Sequence, residues 1–172
     1  MRWPRRWFWL LVPLLIGFGV WLALAYLADL LQPRNYTEIE RGLWMGGNED
    51  RPPRGTEAVI NLNEEKDAYT CKYYDWEPIK DAESPEVNVA WLRRMVLLLD
   101  SRRRAGLKTY VHCRNGVSRS GLLVVAYEMY KNRWTRDESL VFVRSKRDIV
   151  RPNAAFMKLL LEWEDELRKG AE

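Results

Sequence analysis

Residues 111 to 121 read VHCRNGVSRSG, and no other stretch constrains the fold as tightly. The residues before it, Thr109 to His112, have the β-branched and aromatic character of a strand. Those after it, Gly121 to Tyr130, form an apolar segment of helix length, expected to be a central buried helix. A strand that ends in a tight loop and feeds a helix turns its loop amides inward, and the helix N-terminus adds positive potential, which together make an anion cradle. The chain holds two cysteines and one histidine. Two cysteines make no disulfide framework, and one of them inside such a loop reads as a reactive thiol. The field that holds an anion also favours thiolate over thiol, so Cys113 is expected to be a nucleophile with a depressed pKa. Arg119, six residues on, offers a planar guanidinium that grips two oxygens at once. Gly116 lets the backbone turn without blocking the amides. Ser120 can donate a hydrogen bond to the sulfur. His112 is expected to orient the loop through its backbone rather than to donate a proton.

The N-terminal region makes a second demand. From Trp7 to Ala28 no residue is charged, and at helical rise that run is about 33 Å long, the thickness of a bilayer core. Trp3, Trp7 and Trp9 sit at one end and Trp21 and Tyr26 near the other, where interfacial aromatics belong. A single-pass transmembrane helix with a basic flank of Arg2, Arg5 and Arg6 is expected over residues 1–31, so the protein is expected in a membrane. A cleavable signal peptide is the competing reading, with Ala23-Leu24-Ala25 as the small-residue site. The basic flank predicts that the chain beyond the span lies outside, whereas a free thiolate prefers a reducing interior; the two arguments oppose each other. Gln32 to Asn35 reads as a linker, Pro33 ending the preceding helix.

Residues 36–172 alternate strands and helices. Thr37 to Met45 suggests a hairpin, Ala58 to Leu62 a buried strand and Lys72 to Glu77 another. Ser84-Pro85-Glu86 reads as a helix start, with a capping hydroxyl and proline in the first turn. That helix is expected to run to about Arg104, burying Val87, Trp91, Met95 and Leu98. Thr135 caps a helix through about Lys146, and a last helix buries Phe156, Leu159, Leu160, Trp163 and Leu167. The pattern predicts an α/β domain, a central sheet flanked by helices, preceded by the one N-terminal transmembrane helix. The net charge of +4 over 172 residues is too balanced to argue for nucleic acid. Arg102-Arg103-Arg104 is read as a solvated helix end. Nothing resembles a metal cluster, and the domain is expected to be monomeric.

HCRNGVSRS resembles the His-Cys-x5-Arg-Ser/Thr signature of the cysteine-dependent protein tyrosine phosphatase superfamily, in its compact dual-specificity branch. RGLWMGG, AVINL and RPNAAFMKLLLEWEDEL resemble that branch's early strand, first core strand and closing helix, so the resemblance covers roughly residues 36 to 168. It implies a phosphate loop of Arg114, Asn115, Gly116, Val117, Ser118 and Arg119, with Cys113 as nucleophile. It also implies Ser120 assisting the sulfur, no metal or other cofactor, and a cysteinyl-phosphate intermediate. A general acid is needed to protonate the leaving oxygen, and the family places an aspartate about thirty residues before the cysteine. Asp81, in PIKDAESPE, fits; Asp75 and Glu83 are the fallbacks. Cys71 is read as a half-buried residue, with a resolving disulfide to Cys113 as the minority reading.

Three functions remain open at this point. The first is a membrane-anchored dual-specificity protein phosphatase acting on phosphotyrosine and phosphoserine or phosphothreonine, its pocket made shallow by the absence of the large insertions of tyrosine-only relatives. The second is a phosphomonoesterase of the same fold acting on a phospholipid of the phosphatidylglycerophosphate kind. The third is a pseudophosphatase that binds phosphate without turnover; the intact Cys113, Arg119 and Ser120 argue against it. Phosphoinositide 3-phosphatases resemble the chain less, since only Arg114 is basic inside the loop. A sulfurtransferase fits the loop poorly.

Overall fold

The computed structural model describes residues 8–31, 34–82 and 86–170; within the first segment, side chains are described at 13 and 15–28. The chain divides into two compact units, Met1–Arg34 and Asn35–Glu172.

In the first unit, helix α1 runs Phe8–Leu31 with Pro13 inside it. Among the described residues no helix is long and apolar enough to cross a membrane. The expected transmembrane helix is therefore corrected, and with it the membrane as a location. Arg2, Arg5, Arg6, Trp3 and Trp7 lie outside the described residues.

The second unit is built on a five-stranded sheet in the order β1-β2-β5-β3-β4. Strands β1 (Tyr36–Glu40) and β2 (Leu43–Gly46) form the expected hairpin, antiparallel, with Tyr36 opposite Gly46. Strands β2, β5 (Thr109–His112), β3 (Ala58–Asn61) and β4 (Tyr73–Trp76) run parallel to one another. Every residue of β3 and β5 is buried, as a parallel strand covered on both faces must be. The parallel register sets Asn61 beside His112 and Gly46 beside His112, so the chain leaves all three strands at one edge. That edge carries the VHCRNGVSRSG loop.

Helix α2 (Val89–Arg104) begins later than expected, capped by Asn88, whose side chain accepts from the Trp91 amide. Glu86 and Val87 are not helical, and Ser84 and Pro85 lie outside the described residues. The late start corrects the expected Ser84 cap, and the buried face is also displaced, to Leu92, Met95, Val96 and Leu99. Met95 belongs to both faces; Val87, Trp91 and Leu98 pack only against the margin of the core. The expected solvated Arg102–Arg104 end also needs correction. Arg103 donates to the carbonyls of Gly42, Arg41 and Leu107, which pins the β1–β2 turn, and Arg102 pairs with Asp75 at 3.1 Å.

Helix α3 (Arg119–Asn132) begins immediately after the loop and is almost wholly buried. Helix α4 (Arg136–Lys146) opens on a capping box between Thr135 and Glu138. Helix α5 (Ala154–Lys169) is capped by Asn153. Phe156, Leu159, Leu160 and Trp163 of α5 join the buried core, and a fully buried side chain of that size contributes about 2 kcal/mol.

Candidate active site

Cys113 follows the last residue of β5 and is 2% exposed. Its Sγ lies 3.3 Å from the Ser120 hydroxyl. Burial by itself pushes the thiol up, but hydrogen bonds from the Ser120 side chain and from the amides of Ser120, Gly116 and Val117 outweigh it and hold the group below its ordinary value. The Ser120 hydroxyl and the amides of Gly116, Val117 and Ser120 thus converge on the sulfur. Gly116 adopts φ +66, and a Cβ there would stand 2.3 Å from the backbone carbon of Gly46. The loop therefore rests on the end of β2: the Cys113 amide donates to the Gly46 carbonyl and the Asn48 amide to the Arg114 carbonyl.

Arg119 opens α3 and is 5% exposed. Its Nη1 donates to the carbonyls of Ile79 at 3.1 Å and Leu62 at 3.4 Å, while its buried Nε has no partner among the described residues. A guanidinium so anchored, with a donor unspent, is equipped to receive an anion. Ser118 precedes α3 without capping it through its side chain. Instead its hydroxyl donates to Asp81 Oδ1 at 2.7 Å and accepts from the Asn153 amide at 3.1 Å.

Asp81 is thereby brought to the rim of the loop, and Asn153 Nδ2 donates to the same Oδ1 at 2.7 Å. The fallbacks fare differently. Asp75 sits on β4 in its pair with Arg102, and Glu83 lies outside the described residues. Beside the acid-bearing segment a cavity of about 370 Å3 is lined by Ile79, Val87 and Trp91 among charged Glu64, Lys80 and Glu86. Arg114 and Asn115 are exposed, Val117 half-buried.

Cys71 precedes β4 and donates to the Tyr73 carbonyl at 2.8 Å; it is half-buried and free. It lies at the edge where the parallel strands begin, Cys113 at the edge where they end. The register separates the two by six residue steps, about 20 Å at strand rise. A disulfide needs Cα atoms within about 7 Å, so the resolving reading is corrected.

Four features of the site escape the sequence. Arg147, after α4, is buried, its Nε donating to the Gly116 carbonyl at 2.9 Å and its Nη2 to the Asn115 carbonyl and Asn35 Oδ1. The Arg151 amide donates to the Val117 carbonyl at 3.0 Å, so the α4–α5 connection wraps the loop from outside. Asn153, in that connection, bonds Asp81 as described. Finally, His112 does not bond the loop backbone as expected: its Nε2 lies 2.8 Å from Asp67 Oδ2 and 3.4 Å from the Tyr69 hydroxyl. No spacing rule reaches these partners; the RPN triplet after α4 is the nearest signal.

Residues 54–166 match the family described as dual specificity phosphatase, catalytic domain. The chain belongs to that family. Human dual specificity protein phosphatase 1 is 32% identical to it over 115 residues, covering 66% of this chain and 31% of its own length. The chain thus spans under a third of that relative. A putative tyrosine phosphatase of Invertebrate iridescent virus 6 is 32% identical over 131 residues, covering 74% of this chain and 91% of its own. A mouse putative dual specificity phosphatase, solved with zinc tungstate, superposes with a TM-score of 0.73 at 22% identity. That match covers 82% of this chain and 93% of the mouse protein; at that identity it speaks for the fold.

Proposed function

We propose that this family member is a cysteine-dependent phosphomonoesterase acting on phosphotyrosine and phosphoserine or phosphothreonine in proteins, with residues 36–172 as the catalytic domain. The observation that carries the reading is the Cys113 thiol, held below its ordinary value in a buried ring of amides beside the anchored Arg119. In the first step the Cys113 thiolate attacks phosphorus in line. Arg119 and the amides of residues 114 to 119 hold the equatorial oxygens where charge develops. Asp81 protonates the leaving oxygen, without which an alkoxide departs poorly. Its Oδ1 is occupied by Ser118 and Asn153, which assigns Oδ2 to the leaving group. In the second step Asp81 as carboxylate takes a proton from water, water attacks the cysteinyl phosphate, and the Ser120 hydroxyl donates to the departing sulfur.

Sequence likeness to protein phosphatases supports phosphoprotein over phospholipid as substrate. The full chain is expected to hydrolyse an aryl phosphate in excess chelator and to prefer phosphopeptides over phospholipid vesicles. Cys113→Ser is expected to abolish turnover while retaining tungstate binding. Undiminished turnover in that variant would overturn the nucleophile, binding without turnover in the wild type would establish a pseudophosphatase, and a preference for vesicles would replace the substrate class.

A further inference from the structure

Directly behind the nucleophile lies a polar cluster that the proposed reaction does not use. His112 and Asp67 are 0% and 1% exposed at their side chains and meet at 2.8 Å. The Tyr74 hydroxyl donates to the same Asp67 Oδ2 at 3.0 Å and Asn61 Nδ2 approaches it at 3.3 Å. The Asp67 amide in turn donates to the Tyr74 oxygen at 2.9 Å, so the carboxylate is fixed from both sides. Asn61 ends β3 and binds the Glu65 carbonyl as well, tying the intervening loop to the sheet edge. One face of the imidazole stacks on Tyr110 at 5.0 Å. His112 Nδ1, buried, has no partner among the described residues.

A carboxylate accepts only, so an acceptor at Nε2 dictates that this nitrogen carries the proton. We propose that Asp67 is a positioning residue that fixes the proton on His112 Nε2 and, through that ring, seats Cys113 among the loop amides. Residues 112 and 113 share a peptide bond, so a ring free to turn loosens the sulfur's placement. Hydrogen bonds to sulfur weaken steeply with misalignment, whereas burial does not, so a loosened Cys113 loses what lowers its thiol and keeps what raises it. Other charged or titratable groups face this centre. Tyr69 and Tyr74 do so from the β3–β4 side and Tyr110 from β5, and Tyr110 in turn feels the charges of Glu49, after β2, and Arg147, after α4. Asp67 alone among them bonds the ring at less than 3 Å.

The inference rests on Cys113 as the functional thiol, but its test needs no phosphatase activity. The chain has one histidine, so the ring 15N shifts of full-length protein report His112 without ambiguity. The wild type is expected to carry the Nε2–H form; an Asp67→Asn variant, whose amide can donate as well as accept, is expected to lose that preference. Iodoacetamide alkylation of Cys113, read by peptide mass across pH 5 to 10, is expected to slow about tenfold near pH 6 in that variant. The rates should converge at high pH, where both thiols are ionised. A wild-type ring protonated at Nδ1 alone overturns the proposal. So does a variant alkylated at the wild-type rate throughout, or slowed equally at every pH, as a purely structural defect would be. If Asp67→Asn does not fold, Tyr74→Phe, which removes one bond to the carboxylate, decides by the same two readouts with a smaller shift in the same direction. Hydrolysis of an aryl phosphate by the wild type is measured separately, and its absence bears on the proposed function without touching the alkylation result.

Discussion

The two halves of the site are held in different ways. The cradle around Cys113 is buried and braced on every side: Gly46 beneath Gly116, Arg147 across the carbonyls of Asn115 and Gly116, and the Asp67–His112 pair behind. The segment bearing Asp81 is exposed at that residue and held by a few side-chain donors, Ser118 and Asn153 to Asp81 Oδ1, Asn153 to the Ala82 carbonyl and Arg119 to the Ile79 carbonyl. The contrast has a physical reason. A thiolate needs several short, aligned donors at once, and only a rigid frame supplies them. A proton donor must approach leaving groups of different size, and a surface segment allows that. Damage to the cradle should therefore cost both stability and chemistry, and damage to the rim chemistry alone.

The harshest break of that contrast is Gly116→Ala. It imposes a side chain at φ +66 and against the Gly46 backbone, a combination worth on the order of 4 kcal/mol. Denaturant titration should show that loss, and turnover should vanish with it. Next comes Arg147→Met, which keeps much of the buried volume but strands the partners of the guanidinium. Leaving buried acceptors unsatisfied costs about 3 kcal/mol here, and turnover should fall even at temperatures where the variant is fully folded. An Arg147→Met chain as stable as wild type would show that the connection after α4 does not brace the loop.

The mildest break sharpens the other side of the comparison. Asp81→Asn should leave the melting transition within about 0.5 kcal/mol of wild type, as exposed positions do. It should slow alkyl phosphates about a hundredfold and activated aryl phosphates far less, because only the former need a proton in the transition state. A uniform effect across leaving groups would dissolve the assignment of the acid and move attention to Glu83.

Sequence patterns carried part of this architecture and missed the rest for identifiable reasons. The hairpin and β4, only partly buried, fall where expected, and β3 and β5 fall where the short apolar runs predicted, since a fully buried strand announces itself by composition. The start of α2 was misplaced because Ser84-Pro85-Glu86 has the chemistry of a helix cap, yet Asn88 provides the cap. The displaced α2 face follows from the same error in phase. The apolar N-terminal run is a question of length as well as composition, and among the described residues no helix meets both conditions.

What the sequence alone determined is local: a strand, a six-residue loop and a helix N-terminus bring Cys113, Gly116, Arg119 and Ser120 together within one turn of chain, so their spacing specifies their geometry. What only the tertiary structure decided is which distant residues hold that geometry in place. Asp67 reaches His112 across 45 positions, Asn153 reaches Asp81 across 72 and Arg147 reaches Thr37 across 110. Each of these partners is an ordinary polar residue in its own neighbourhood. Its role arises because the parallel register of β2, β5 and β3 delivers their ends, and the connections that follow, to the same edge of one sheet. Contacts of that span depend on how the whole core closes, which no short window of sequence encodes.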